Sequence, residues 1–185
     1  MQFLSELWMP ILIATALCVA LSALVWRALP FHKTERRRLP TEPGVLEALR
    51  QDAPPPGLYA FPFVMGGDAN RPDIKAALRK GPVGFVTIKA GGPTATGRMM
   101  AQAVAFYLIV TVFTAYVAWH SLKLGSPYLS VFRIVGTVTT MTYGLGMVQE
   151  SIWFARPWKS WLYTALDSLL YGTATAGVFG WLWPQ

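Results

Sequence analysis

The sequence has few of the residues from which chemical sites are built. Cys18 is its only cysteine, and His32 and His120 are its only histidines. A single cysteine excludes a disulfide framework and a cysteine-based metal site within one chain. Charged residues make up only 14% of the sequence, and the 9 acidic residues are outnumbered by 16 Lys and Arg. We therefore expect no metal and no cofactor.

Patterns typical of enzymes are also missing. There is no Ser-His-Asp or Cys-His arrangement and no pair of carboxylates at a shared depth. Neither Gly66-Gly67 nor Gly91-Gly92-Pro93 continues into the Lys-Ser or Lys-Thr ending of a phosphate loop. The formal charge of +7 is explained by membrane topology and anionic lipid, so nucleic acid is not a predicted partner. These absences disfavour an enzyme.

Long apolar runs dominate what is present. Hydrophobic residues make up 54% of the 185 residues, and four blocks are long enough to cross a bilayer, which takes about 20 apolar residues. Because backbone groups in lipid must be paired within the segment, such blocks form helices. The pattern predicts an all-α integral membrane protein with four transmembrane helices and a small cytoplasmic α+β cap between helices 1 and 2. The predicted segments are transmembrane helices at 1–27, 99–120, 128–149 and 161–183, and the cap at 28–98.

The distribution of basic residues predicts an orientation. Of the 16 Lys and Arg residues, 11 lie between Lys33 and Arg98. The positive-inside rule therefore places residues 28–98 in the cytoplasm and both termini outside. Tryptophans, which collect at membrane interfaces, form two sets that agree with these ends. The outer set is Trp8, Trp119, Trp181 and Trp183, and the inner set is Trp26, Trp153, Trp158 and Trp161.

The polar segment predicts a cap that needs support. Apolar and β-branched residues favour two strands, at 58–64 and 83–89. Thr41 is expected to cap one short helix, and a second is predicted over 72–80, with Pro72 inside its start and Gly81 closing it. Two isolated strands are marginal in water, so the cap should depend on the spans or on a partner. A basic cluster after the first span is expected to contact anionic headgroups, with a specific lipid or an acidic partner as the alternative. The cluster is Lys33, Arg36, Arg37 and Arg38.

Small residues recur at fourfold spacing in the third and fourth blocks. In lipid, close approach of helices depends on such residues. They predict a tight antiparallel helix pair, or alternatively a surface that mates with another integral membrane protein or a second copy of the chain. The ridge residues are Gly136, Thr140, Gly144, Ser168, Gly172, Ala176 and Gly180.

Asp167 is the one acidic residue well inside a block, where a charge is costly. Its expected partners are Tyr171, one turn away, and the basic residues at the inner helix ends, Arg27, Arg98 or Arg156. Three roles stay open: a structural ion pair, a carboxylate that carries a proton or binds a substrate, and an interface with a partner chain. A pair between Glu150 and Arg156 or Arg98 is also expected.

The chain resembles an uncharacterised family of small four-span bacterial inner-membrane proteins. The resemblance implies a bacterial source and an inner-membrane location, and it transfers no activity. It rests on Leu39-Pro40-x-Glu42, Gly57-x-Tyr59-x-Phe61-Pro62, Gly81-Pro82-x-Gly84, Ile152-Trp153-Phe154 and the run from Asp167 through Tyr171-Gly172 and Thr175-Ala176-Gly177 to Trp181-Leu182-Trp183-Pro184. From the absence of a chemical site we expect an accessory, scaffold or assembly component of a membrane complex. The alternative is a small transporter or channel that uses Asp167 to bind a proton or cation.

Overall fold

Seven α-helices and one two-stranded sheet occupy the residues that the computed structural model describes, 2–93 and 95–185. Clustering of contacts divides them into a helical unit (2–36, 95–151 and 156–185) and a small unit (37–93 and 152–155). The helices are α1 (Gln2–Ala28), α2 (Glu42–Asp52), α3 (Pro72–Lys80), α4 (Thr96–Ser121), α5 (Tyr128–Gly144), α6 (Val148–Trp153) and α7 (Trp158–Trp181), and the strands are β1 (Gly57–Phe61) and β2 (Gly84–Ile88).

Three stretches of helix are long and apolar enough to cross a membrane. They are α1, α4 and the stretch Tyr128–Trp153, in which a 3₁₀ turn at Leu145–Met147 joins α5 to α6. The expected helix over 128–149 is therefore interrupted after Gly144. These three stretches indicate a membrane protein.

The fourth predicted block is helical, but α7 does not qualify as a span by composition. The mean hydropathy of α7 is lowered by Lys159, Asp167 and 5 Ser and Thr residues. Asp167 and most of these hydroxyl residues are buried or half-buried, while half of the exposed residues of α7 are leucines. The exposed leucines are Leu162, Leu166, Leu169 and Leu170. The mean hydropathy of α7 therefore understates how apolar its exposed face is.

The four long helices form a closed ring. In this ring α4 contacts α1 and α5, while α7 contacts α5 and α1. The α5–α7 interface is the most extensive, and the two small-residue ridges meet along it. A Cβ added at Gly136 would lie 3.3 Å from that of Ala176, and one at Gly144 would lie 2.5 Å from Ser168 Oγ. The glycines thus allow two helix backbones to approach more closely than larger side chains permit.

The interior of the helical unit differs between its two ends. At one end, called here the core end, α1 and α4 pack against α5 and α7 through side chains with no exposed surface, among them Leu7, Ala118, Val131 and Phe179. At the other end, called the basic end, lie Arg27, Arg98 and Arg156. Between them, Cys18, Val110, Tyr143 and Tyr171 form a second cluster. The buried ionisable side chains His32 and Asp167 lie on the side of this second cluster nearer the basic end, whereas buried threonines such as Thr114 and Thr175 lie nearer the core end.

The small unit contains the predicted sheet in shorter form. β1 and β2 are antiparallel, with Gly57 opposite Ile88 and Phe61 opposite Gly84. β1 ends before Pro62, which has no N–H to donate to a strand ladder. α3 spans the predicted residues, whereas the Thr41 side chain makes no capping hydrogen bond to α2. None of residues 37–93 is buried, so this unit has no core of its own.

Candidate functional site

His32 is placed at the basic end by a tight turn. α1 ends at Ala28, and Pro30 starts the 3₁₀ turn Pro30–Thr34, where proline's fixed φ suits the first helical positions. The imidazole stacks on the Trp26 indole, with ring centroids 4.3 Å apart and planes 10° apart. Only 6% of His32 is exposed. The turn therefore carries a titratable side chain from the end of α1 into the helical unit.

Both ring nitrogens of His32 face carboxylates. Nε2 lies 3.0 Å from Asp167 Oδ2 on α7, and Nδ1 lies 2.5 Å from Glu35 Oε1. The other carboxylate oxygen of Glu35 accepts a hydrogen bond from Arg156 Nη2 at 3.4 Å. We call this chain of four side chains, Asp167, His32, Glu35 and Arg156, the His32 network.

The net charge of the His32 network depends on the proton count of the imidazole. Only an imidazolium, with an N–H on each nitrogen, can offset the negative charges of two ionised carboxylates that face both nitrogens. The network then has no net charge, because Asp167 and Glu35 offset His32 and Arg156. If the imidazole is neutral, the network has a charge of −1 unless a carboxyl takes up the proton. One exchangeable proton therefore sets the charge of the site.

A pocket of about 280 Å³ lies beside the network. Asp167 and Arg156 both line it, so the network contributes one acidic and one basic side chain to the pocket wall. Most of the remaining wall is aromatic, and the rings of Tyr107, Tyr143 and Tyr171 contact one another at centroid distances of 5.7–6.0 Å. The other lining residues are Trp26, Phe106, Thr142, Gly146, Met147, Thr164 and Ser168.

The Tyr143 hydroxyl is a polar group of this pocket that lacks a partner. Only 8% of Tyr143 is exposed, and within the described part of the chain its hydroxyl makes no hydrogen bond. Several other interior hydroxyls are paired, such as Thr175 with Cys18 at 3.3 Å and Thr114 with Thr139 at 3.4 Å, while that of Ser151, which does not line the pocket, is also without a partner among the described residues. A buried hydroxyl without a partner is costly. Tyr143 therefore presents an open hydrogen-bonding position to whatever occupies the pocket.

The structure brings together only some of the predicted site residues. Asp167, Tyr171 and Arg156 line one pocket, whereas Arg27 and Arg98 are exposed. The expected pairing of Asp167 with an arginine is wrong, because the turn after α1 places His32 against its carboxylate. Arg156 pairs instead with Glu35, and its link to Glu150 is a backbone hydrogen bond from Arg156 N to Glu150 O at 3.1 Å.

Sequence reasoning missed His32 and Glu35. Their spacing of three residues and the proline two positions before His32 are visible signals for a turn that pairs them. His120, the other histidine, is exposed at the end of α4, with Nδ1 2.8 Å from Tyr116 O. No group of His, Cys, Asp and Glu within the described ranges has the arrangement of a metal site.

The basic cluster lies outside the pocket. All four of its side chains are exposed. Arg38 Nε donates to Glu42 Oε2 at 2.9 Å, an exposed pair of the kind that contributes little to stability. The cluster is thus accessible to anionic groups. Its members are Lys33, Arg36, Arg37 and Arg38.

Comparison with known proteins gave no match to a family model, to a curated protein or to a solved structure. The resemblance to a four-span bacterial family therefore stays a prediction. The His32 network and its pocket are the features from which a function can be argued.

Proposed function

We propose that this chain binds a small polar ligand within the membrane, in the pocket at the basic end, with Asp167 as the binding carboxylate. The observation that carries the proposal is that the buried His32 network shares this pocket with the unpartnered hydroxyl of Tyr143. Ionisable residues inside membrane proteins are costly, and they commonly mark paths for substrates, ions or protons.

Energetics favour a functional reason for the network. Replacing a buried ion pair by well-packed apolar residues is often neutral or stabilising, so stability alone does not require one. Here His32 and Asp167 are at most 8% exposed, and Glu35 and Arg156 extend the charged chain. We infer that these groups serve the pocket that Asp167 lines.

The packing at the core end favours binding over a channel. Leu7, Ala118, Val131 and Phe179 have no exposed surface and belong to one cluster. In the described conformation, the pocket therefore has no aqueous continuation through the helical unit. Transport by Asp167 would additionally require these four helices to separate at the core end.

The proposal includes a topology with α7 as the fourth span. With 24 residues, α7 is about 36 Å long, which exceeds the hydrocarbon thickness of about 30 Å. Its exposed leucines suit lipid, while its acid and most of its hydroxyls turn inward. With residues 28–98 in the cytoplasm of a bacterium and both termini outside, the pocket opens near the inner leaflet of the inner membrane.

Cysteine labelling tests this topology. Cys18 is buried and is the only native cysteine, so Cys18→Ala gives a background for single cysteines at Ser5, Thr87 and Gln185. An impermeant thiol reagent added to intact cells should label the Ser5 and Gln185 positions. It should label the Thr87 position only after permeabilisation. Labelling of only one terminus in intact cells would contradict four spans.

Native mass spectrometry of the protein extracted from its own membrane tests ligand binding. The wild-type chain should carry a small-molecule adduct that Asp167→Asn abolishes and Tyr143→Phe reduces. Matched controls are Asp68→Asn and Tyr116→Phe, which alter exposed residues outside the pocket and should retain the adduct. Full retention of the adduct by Asp167→Asn would refute the proposed role of this carboxylate.

The small unit favours a second candidate, an accessory, scaffold or assembly component. Residues 37–93 have no buried residue, and several large apolar side chains are exposed. A unit without a core gains stability when another surface covers such side chains. The most exposed of them are Leu58, Phe63, Met65 and Val83.

Two serine substitutions test this candidate. A partner membrane protein or second copy that copurifies in mild detergent should be lost with Phe63→Ser combined with Met65→Ser. Leu162→Ser on α7, an exposed apolar residue outside the small unit, is the control that should retain it. Copurification that is unchanged by the double substitution would argue against a partner on this surface.

A further inference from the structure

We propose that the ligand of the pocket is an organic ammonium ion and that its binding releases the proton held in the His32 network. The inference rests on the proposed ligand-binding function and names its ligand class. It follows from the charge of the network, the composition of the wall and the position of the exchangeable proton.

The charges of the wall favour a cation. Arg156 is the one basic residue among the lining residues, and Glu35 already balances it at 3.4 Å. Asp167 is balanced by His32 only while the imidazole carries its second proton. When that proton leaves, the network has a charge of −1, which a ligand with a single positive charge restores to zero. An anionic ligand would leave the deprotonated network further from neutrality.

The aromatic wall favours an organic cation over a metal ion. Aromatic rings attract ammonium groups through their faces, and cages of such rings bind quaternary ammonium ions. Five aromatic residues line this pocket, against one carboxylate. Hard metal ions require several oxygen ligands instead. A volume of about 280 Å³ also suits an organic ion with an apolar substituent. The aromatic residues are Trp26, Phe106, Tyr107, Tyr143 and Tyr171.

The Tyr143 hydroxyl can form a hydrogen bond with either a primary or a quaternary ammonium ligand. Its oxygen can accept an N–H from a primary ammonium, or the hydroxyl can bond a polar substituent of a quaternary one. The ring contacts Tyr107 and Tyr171, so the hydroxyl belongs to the aromatic part of the wall. The partner that this hydroxyl lacks within the described residues is therefore supplied by the ligand.

Proton release follows from the position of His32. An ammonium at Asp167 places a second positive charge beside the carboxylate whose Oδ2 lies 3.0 Å from His32 Nε2. The imidazolium then loses one proton to water at the basic end, and the ligand takes its place as the counter-charge. The groups that face His32 are Glu35 on its own turn, Asp167 and Tyr163 of α7, and Trp26 of α1, with Arg156 acting through Glu35.

Choline and its neutral isostere 3,3-dimethyl-1-butanol test the charge requirement on the full chain in mild detergent, by isothermal titration calorimetry. We expect choline to bind at least about tenfold more tightly than the isostere, and Asp167→Asn to remove the difference. Equal binding of the two probes would overturn the ammonium inference. If the membrane-derived adduct were still lost with Asp167→Asn, the proposed binding function would stand.

Calorimetric titrations with choline in buffers of different ionisation enthalpy measure how many protons are released on binding. Release of one proton corresponds to an affinity for choline that rises up to about tenfold per pH unit where the imidazole is protonated. His32→Gln should abolish proton release and remove the pH dependence of the choline binding that remains, whereas His120→Gln, at an exposed histidine, should behave like the wild type. Choline binding with no proton release in the wild type would overturn the exchange.

Nanodiscs distinguish two sources of the ammonium group. If a lipid headgroup supplies it, adding phosphatidylcholine to phosphatidylglycerol nanodiscs should weaken the apparent affinity for free choline. An unchanged affinity assigns the site to a free ammonium compound. Loss of choline binding in both lipid compositions, with the chain folded, would overturn the inference.

Discussion

Gly172 of α7 packs against Gly136 and Thr140 of α5, and enlarging it by one methyl group tests how the pair is held together. A Cβ at this position would lie 3.1 Å from the carbonyl oxygen of Gly136 and 3.3 Å from Thr140 Cβ, and closer still to Thr140 Oγ1. A side-chain rotation can move the Thr140 hydroxyl, but Gly136 O belongs to the helix backbone. Gly172→Ala therefore forces the two helices apart.

The expected magnitude follows from overpacking. Inserting a methyl group into a well-packed interior costs about 1–3 kcal/mol. We expect Gly172→Ala to lower the free energy of unfolding by an amount in that range. Gly177→Ala is the matched control on the same helix, because its Cβ would meet only Tyr128 Oη, at 3.9 Å. That change should stay within about 0.5 kcal/mol of the wild type.

Equilibrium unfolding in mixed detergent, followed by helical circular dichroism, measures both variants. Combining Gly172→Ala with Thr140→Ala removes the hydroxyl that the new methyl group meets. The double variant should therefore recover part of the loss, with a coupling energy of about 0.5–3 kcal/mol. Equal effects of Gly172→Ala and Gly177→Ala would refute the reasoning, because the small-residue ridge would then not determine how closely the helices approach.

Three further changes probe other parts of the chain. His32→Ala should lower the free energy of unfolding by about 3–5 kcal/mol, because it leaves the buried Asp167 without its counter-charge; a loss below about 1 kcal/mol, measured in the same assay, would contradict the pairing. Trp183→Phe removes the hydrogen bond from Nε1 to Lys123 O, 3.0 Å long, and should cost about 1 kcal/mol; no measurable loss would show that the bond is not needed. Replacing residues 37–93 with a Gly/Ser linker should leave the thermal unfolding of the helical unit almost unchanged, since none of its buried residues is removed; loss of the helical signal would show that the small unit supports the helices.

Features that depend on local pattern could be predicted from the sequence. The β-branched residues around Val86 predicted β2, and proline at the first position and glycine after the last predicted α3. Small residues at fourfold spacing predicted which faces of α5 and α7 could meet. These signals act within one element or between neighbours along the chain, so the sequence contains most of the information that is needed to predict these elements.

Features that depend on three-dimensional arrangement could not be predicted in the same way. The partner of Asp167 was expected among long basic side chains, yet a turn of five residues places His32 there. Average hydropathy describes α7 poorly, because Asp167 and Thr175 are buried while the leucines are exposed. The length of α5 was overestimated, because the chain leaves α-helical geometry after Gly144.

The one-sided polarity of α7 has a consequence for how the protein is made. In the proposed four-span topology, its acid and most of its hydroxyl groups are covered by neighbouring helices rather than by its own leucines, so α7 alone would be a poor substrate for release from the translocon into lipid. It is synthesised after α1, α4 and α5, when the ridge of α5 is already present to receive it. We expect α7 to integrate as a hairpin with α5, and a nascent chain that lacks α5 to leave α7 exposed to membrane quality-control proteases.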